Sequence, residues 1–525
     1  MESLSETVWD VVICGTGLSQ SLLALSLSRS DKKVLHIDPN DFYGGSEAAL
    51  SLQETEDWAK QHEAPSTVAA PSGAPAESLA TPIFSSARVT KPQDGAGLSF
   101  ARAYSLALAP QLVHARSQLV SQLVSSRAFR QLEFLAVGSF FVLARRLSDD
   151  EDAAAGSPHK LTRIPSTRED VFSDNSIPAR AKRSLMKFLK FVLDYNSDTQ
   201  TDLWREDADR PLSSFLEKCF KLDQALRAYI LTLTLSPDGA ITTKDGLAII
   251  HRHLTSMGYF GPGFAAVYPK WGGAGEIAQV ACRAGAVGGG VYMLGTGITN
   301  TRTSSSESAD DGETLELDLT NGTTVKTKLL VRGREEAPVT GNDTIERLSR
   351  LVAIVDSPLT SLFDTVVEGA PIPAVAVIAC PPGTLDVPPE AASQEYPVYA
   401  LVHSSDTGEC PPGQTVIYLS TYTTKHAQQI LEQSIAPILA AIGSNQTPKC
   451  LYQLYYEQSS ASSAVQVDGR VFTLPAPSPT LAVSDGILDS VYETWKAVMG
   501  PDAQAHEDGY MKFADREGMD DDDDV

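Results

Sequence analysis

The chain has 525 residues, 42% of them hydrophobic and 21% charged, with 42 basic against 66 acidic side chains and a formal net charge of −24. That composition leaves room for a packed core, and an acidic balance without a basic run excludes nucleic acid as a natural partner. At roughly 150 residues per domain, the length predicts about three units, or one large discontinuous domain with a smaller one.

Six cysteines stand at positions 14, 219, 282, 380, 410 and 450. None forms a CxxC, and no histidine pair has metal-ligand spacing, so free thiols and no metal are expected. The start, MESLSETVWD, is acidic before its apolar run, unlike a signal peptide. No apolar run approaches the ~18 residues of a membrane span, and the ending DDDDDV is not a prenylation box. A cytosolic protein is the expectation.

Trp9–Cys14 (WDVVIC) reads as a strand. Gly15-Thr16-Gly17 follows, then a helical pattern over Leu18–Ser28 and a second strand over Lys32–Asp38. This order opens a dinucleotide-binding βαβ unit, with Asp38 where a ribose-binding acid should fall. The G-x-G-x-x-G fingerprint is broken, because Gln20 stands where the third glycine belongs. The fold is expected without the cofactor. Gly15 and Gly17 then form a tight turn with nothing bound, and Asp38 makes a local hydrogen bond or caps a turn. In Asn40–Gly45, Tyr43 precedes two glycines and is either displayed from a tight loop or half buried at the sheet edge.

Residues 61–97 are rich in Pro, Ala, Ser and Gly and read as a flexible insertion. Ala103–Leu108 is a possible strand, Gln111–Phe134 has helical spacing, and Leu135–Leu143 is strand-like. Arg145–Ser157 is an acidic loop. From Ile164 to Met257 the pattern becomes all-helical. One helix starts at Ser176-Ile177-Pro178 and runs to about Tyr195. Others follow at Pro211, over Leu222–Leu235 around Tyr229, and over Lys244–Met257. Their apolar residues suit either an ordinary bundle core or one that opens for an apolar ligand. His251 and His253, two apart, point to different helix faces and read as solvent or core side chains.

Val267–Met293 carries glycines at both ends and a short helix, Glu276–Ala286, between them. Glu276 and Arg283 are nearly two turns apart and share a face. Thr301–Gly312 reads as a low-complexity loop. Thr314–Leu319 and Thr323–Val331 form a hairpin across Asn321-Gly322. Strands are expected over Leu351–Val355, Ala374–Ala379, Val398–Val402, Thr415–Thr421 and Leu451–Tyr456. Helices are expected over His426–Ala441 and Leu488–Met499, with a disordered acidic tail after them. There is no GxSxG, HExxH, intact P-loop or evident acid/base carboxylate pair.

Two segments, DVVICGTGLSQSLLALSLSRSDKKVLHIDPNDFYGG and YPKWGGAGEIAQVACRAGAVGGGVYML, lie in that order with LVSSRAFRQLEF and RIPSTREDVF between them. Together they resemble the superfamily of Rab GDP-dissociation inhibitors and Rab escort proteins. FLAVGSFFVL and SLMKFLKFVLDY are similar to its fungal escort branch, component A of Rab geranylgeranyltransferase. The resemblance implies an α/β, Rossmann-like large domain related to flavoproteins but without flavin, formed here by 1–163 and 258–500. It implies a helical domain, 164–257, that receives a geranylgeranyl group, and a tail over 501–525.

The resemblance places a platform for GDP-bound Rab GTPases on Tyr43, Glu276, Arg283 and Met293, and a looser contact for the prenyltransferase α/β heterodimer near Tyr229. A non-catalytic escort acting in vesicle-mediated protein transport, with transient membrane contact, is the implied role. A recycling dissociation inhibitor is the alternative within the superfamily. A flavin-dependent oxidoreductase using Gly15, Gly17 and Asp38 is the alternative from another class.

Overall fold

The computed structural model describes residues 4–64, 82–92, 95–146, 158–165, 168–173, 177–305, 313–334, 345–365, 367–386, 393–443, 448–461 and 464–513. The N-terminal apolar run forms the strand Val8–Cys14, the helix Leu18–Leu27 and the strand Val34–Ile37. Gly15 turns the chain at φ +92°, a conformation that suits glycine. All ten residues of the helix are buried, the polar Ser19, Gln20, Ser21 and Ser26 among them. It packs against the helices Ala274–Val287 and Gly486–Met499.

The first sheet has eight strands. Val8–Cys14 pairs in parallel with Val34–Ile37 and with Thr324–Arg332, and Val34–Ile37 pairs in parallel with Val291–Met293 at the edge. The expected hairpin is present: Glu313–Leu319 runs antiparallel to Thr324–Arg332, and Gly322 takes a positive φ in the turn. Ile298–Ser305 extends the sheet beside it.

The second sheet has ten strands, and Phe134–Arg145, Val375–Cys380, Val398–Ser404 and Thr415–Tyr422 lie side by side in it. One face packs on a core containing Trp58, Phe84 and Tyr456. The other is covered by the helix Ala427–Ile442 through Ile430, Leu431, Ile435 and Ile438. Between the two passes of the chain through these sheets lie helices at Ala179–Leu193, Leu212–Phe220, Gln224–Thr234 and Thr243–Ser256. Phe188, Phe191, Phe215 and Phe220 form their common core.

Several expectations are corrected. The 61–97 stretch is not wholly an insertion: Phe84–Thr90 is a strand pairing with Cys450–Ala461. Phe84 anchors it edge-on against Trp58 and Tyr456, and residues 65–81 and 93–94 lie outside the described residues. The helix expected over Gln111–Phe134 spans only Gln118–Ser125. Val113–His114 is drawn into the sheet ahead of it, and Arg127 turns left-handed after it.

Thr301–Ser305 belongs to a strand rather than a loop. The tail begins later than residue 501. Ala503–His506 is helical, and Met511 and Phe513 are buried in the core around the first helix. Residues 514–525, 306–312, 147–157 and Ser176 lie outside the described residues. Short helices at Arg168–Ser173 and Asp198–Trp204 had no clear sequence signal.

Candidate functional site

The turn after the first strand is filled by the chain itself. A Cβ built on Gly17 would lie 2.8 Å from Gln20 Oε1 and 3.2 Å from Glu47 Oε2. Both side chains therefore occupy the approach that a pyrophosphate uses in this fold. Asp38 spends its carboxylate locally. Oδ2 accepts the Thr16 amide and the Thr16 hydroxyl, each at 2.6 Å, and Oδ1 accepts the Asn40 amide at 2.7 Å. Burial raises its pKa, and these hydrogen bonds oppose the rise. No acceptor geometry is left for a ribose in this arrangement. A dinucleotide at this turn would meet the Gln20 and Glu47 side chains.

A row of polar side chains crosses the outer face of the helix Ala274–Val287 instead. Glu276 is half-buried and Arg283 exposed, two turns apart. Gln279 stands between them. With its amide oriented to suit both neighbours, it donates to Glu276 Oε2 at 3.1 Å and accepts from Arg283 at 3.3 Å. Burial raises the Glu276 pKa, and the Arg283 charge lowers it. Tyr43 is half-buried close by, with Cys282 and Arg283 among the groups that shift its hydroxyl.

Met293 lies at the end of the edge strand, where its carbonyl accepts the Asp38 amide at 2.9 Å. Its partly buried side chain packs beside the core of the first sheet. The structure thus brings Tyr43, Glu276 and Arg283 around one helix, with Met293 on the adjoining strand. Gly15, Gly17 and Asp38 lie behind them, below the Tyr43 loop. Tyr229 is elsewhere, on the helix Gln224–Thr234, partly buried between the helical core and the second sheet.

Two features escaped the sequence reading. Gln279 is visible only in retrospect, as the residue one turn from Glu276 on the same face. The other is a buried cluster under the start of the helix. Glu409 accepts hydrogen bonds from Tyr268 at 2.7 Å, Tyr418 at 3.0 Å and His403 Nδ1 at 2.7 Å. It ties Tyr268, just ahead of the helix, to the strands beneath. No local motif announces it, because its members are up to 150 residues apart in sequence.

An apolar cavity of about 170 Å³ lies between the helical core and the second sheet. Phe140, Leu185, Leu189, Tyr229, Leu233 and His253 are among its lining. Among the described residues, no group of three or more His, Cys, Asp or Glu is placed to hold a metal ion, and no helix is long and apolar enough to cross a membrane. All six cysteines are free.

The architecture is Rossmann-type, with two large sheets and a two-stranded one formed by Ala49–Leu50 and Leu106–Ala107. It is shared with a Rab GDI from Plasmodium falciparum (TM-score 0.63, 17% identity, 93% of this chain and 97% of that one). It is also shared with an oxidoreductase from Methanosarcina mazei (TM-score 0.55, 12% identity, 93% and 99%). These likenesses define the fold class. The family is defined by sequence: residues 5–73 and 72–373 match the GDP dissociation inhibitor family, and the chain belongs to it.

Among its relatives, "Rab proteins geranylgeranyltransferase component A" of Saccharomyces cerevisiae is 31% identical over 78% of this chain. "Rab escort protein 1" of Arabidopsis thaliana is 25% identical over 95% of this chain and 93% of its own length. The Rab GDP-dissociation inhibitor of Saccharomyces cerevisiae is 22% identical over 79% and 80%. The match spans 61% of the Saccharomyces cerevisiae component A and 59% of its Candida albicans counterpart.

Proposed function

We propose that the chain is a Rab escort protein. It binds a newly made, GDP-bound Rab GTPase, presents the Rab C-terminal cysteines to Rab geranylgeranyltransferase, and keeps the prenylated product soluble until a membrane takes it. It works in the cytosol, uses no flavin and makes no bond itself. The observation that carries the reading is the Glu276–Gln279–Arg283 row beside Tyr43, on a fold whose phosphate turn is filled by Gln20 and Glu47. Arginine and aromatic side chains are favoured where protein surfaces meet, and Met293 adds apolar contact at the margin. The higher identity to component A relatives than to the Saccharomyces cerevisiae dissociation inhibitor favours the escort role over recycling.

The apolar cavity supports the second half of the role. Shielding a prenyl chain gains ~0.8 kcal/mol per CH₂-sized unit. Holding both the folded GTPase and its lipid raises the effective concentration of each at its own site. Tyr229 belongs to this cavity, and a contact with the prenyltransferase would use neighbouring exposed parts of the helices.

The test is a reconstituted reaction of GDP-loaded Rab, the prenyltransferase heterodimer and labelled geranylgeranyl diphosphate. Transfer that depends on this chain is expected. Rab binding without transfer would favour a dissociation inhibitor. Absence of both, with bound flavin released on denaturation, would restore the oxidoreductase reading.

A further inference from the structure

The Tyr43–Ala48 segment is wedged between the starts of two helices. On one side its backbone lies directly against the helix Ala274–Val287: a Cβ on Gly275 would come within 2.6 Å of the Glu47 carbonyl oxygen, and one on Gly44 within 3.3 Å of the Gly275 Cα. On the other side the Glu47 side chain crosses to the helix Leu18–Leu27. Its Oε2 accepts the Leu18 amide at 3.4 Å and the Ser46 hydroxyl at 3.1 Å. The Gly44 amide donates to the Thr16 hydroxyl at 3.0 Å, a second link to the same turn.

Glu47 is 3% exposed. No basic side chain figures among the influences on its carboxyl, and burial dominates them. A buried carboxylate without a cation is costly. What it meets here is a helix N-terminus, which carries roughly half a positive charge and free amides. In dinucleotide enzymes that end of the helix receives a phosphate. Glu47 places its own carboxyl oxygen there from within the chain.

We infer that Glu47 is a positioning residue of the partner-binding surface: its buried carboxyl group accepts the Leu18 amide at the start of the first helix and so pins the Tyr43–Ala48 segment against the helix that carries Glu276 and Arg283. The inference rests on the proposed role of that surface in Rab binding. The gain is pre-organisation. A loop already held in its bound shape loses less entropy when a partner docks.

The experiment compares the full chain with its Glu47→Ala and Glu47→Gln variants in two assays. The first is amide hydrogen exchange in the protein alone, with and without inorganic pyrophosphate. The second is titration calorimetry with a GDP-loaded Rab. In Glu47→Ala, exchange over residues 43–48 should quicken by about tenfold, while the second sheet keeps its protection. Pyrophosphate should slow that exchange again in Glu47→Ala and leave the unmodified chain unchanged. Rab affinity should fall by about tenfold in Glu47→Ala. Glu47→Gln keeps an oxygen for the Leu18 and Ser46 contacts and should lie between the two in both assays. It carries the test if Glu47→Ala does not fold.

Unchanged exchange at 43–48 in the variants overturns the inference, and so does a rise spread evenly over the whole chain. Failure of the unmodified chain to bind Rab, with the exchange response intact, would instead remove the Rab reading and leave the tether standing.

Discussion

His36, His114 and His253 are buried, and desolvation pushes their pKa values down from an ordinary 6.5 to about 4, about 3 and about 4. Glu47 moves the other way, its carboxyl raised by burial to about 7. Between pH 4 and 6.5 the unfolded chain binds more protons at the histidines than the folded one. Their contribution to stability is complete above pH 6.5 and is lost as pH falls toward 4. For Glu47 the folded state holds the extra proton between pH 4.5 and 7, so its contribution is present below 4.5 and is lost as pH rises through 7. Three groups oppose one, and each tenfold difference in proton affinity between folded and unfolded chain is worth about 1.4 kcal/mol. The urea midpoint should therefore fall on acidification from pH 7 to 5, and Glu47→Gln should steepen that fall. A flat profile over this range would contradict the buried, neutral state of the histidines. Arg283 tests the surface instead. It is exposed and bonded only along its own helix, so Arg283→Ala should leave the melting temperature within a degree or two of the parent. It should weaken binding of GDP-loaded Rab by about 1–3 kcal/mol in titration calorimetry. Unaltered affinity would remove Arg283 from the proposed platform.

The helix Ala274–Val287 packs through Ile277, Val280 and Ala281, and at Gly275 and Gly285 its backbone also comes close to neighbouring groups. A Cβ on Gly275 would strike the Glu47 carbonyl, and one on Gly285 would lie 2.2 Å from the Tyr292 hydroxyl. Gly275→Ala meets rigid backbone, whereas at Gly285 the obstacle is the tip of a side chain. Gly275→Ala should cost about 1–3 kcal/mol, the usual range for overpacking, and Gly285→Ala less. Thermal or urea unfolding of the two variants side by side checks the order, and equal losses would mean that the Tyr43–Ala48 segment yields. Gly275 was legible in the sequence among the glycines that bracket a helix, whereas Gly285 lies inside that helix and was not singled out; the shared face of Glu276 and Arg283 was legible too, because it follows from local spacing. The βαβ opening and the Asn321-Gly322 hairpin were legible for the same reason. The strand Phe84–Thr90 was not. Its composition is that of a linker, and it becomes a strand because Phe84 finds Trp58 and Tyr456, the latter more than 370 residues away in sequence. Met511 and Phe513, behind an acidic stretch that reads as tail, are fixed by a core that forms around the first helix. Glu47 was missed because nothing in GGSEAA marks a residue whose partner is a helix end 29 positions earlier.

At the scale of the whole molecule, the seam between the helices and the second sheet encloses an apolar cavity. Its cavity of about 170 Å³ is close to the ~150 Å³ that admits a benzene-sized molecule. A twenty-carbon prenyl chain is larger, so in the proposed escort role its uptake would require the helices Ala179–Leu193, Gln224–Thr234 and Thr243–Ser256 to part from the sheet. Separation exposes apolar side chains at the seam, and the entering lipid covers them again. Its net cost is thus set by the helices' contacts with the sheet and not by their own core of Phe188, Phe191, Phe215 and Phe220. That division makes the two binding events separable. Leu189 lines the cavity and is only partly buried. Leu189→Trp should fill the space without breaking the aromatic core, and the distance of Leu189 from Glu276 and Arg283 in the fold leaves their surface untouched. The expected outcome is an affinity for prenylated Rab reduced by at least about tenfold, or ~1.4 kcal/mol, with the affinity for unprenylated, GDP-loaded Rab unchanged. Equal weakening of both forms would mean that the substitution acts through the fold. No weakening of either would place the lipid outside this seam.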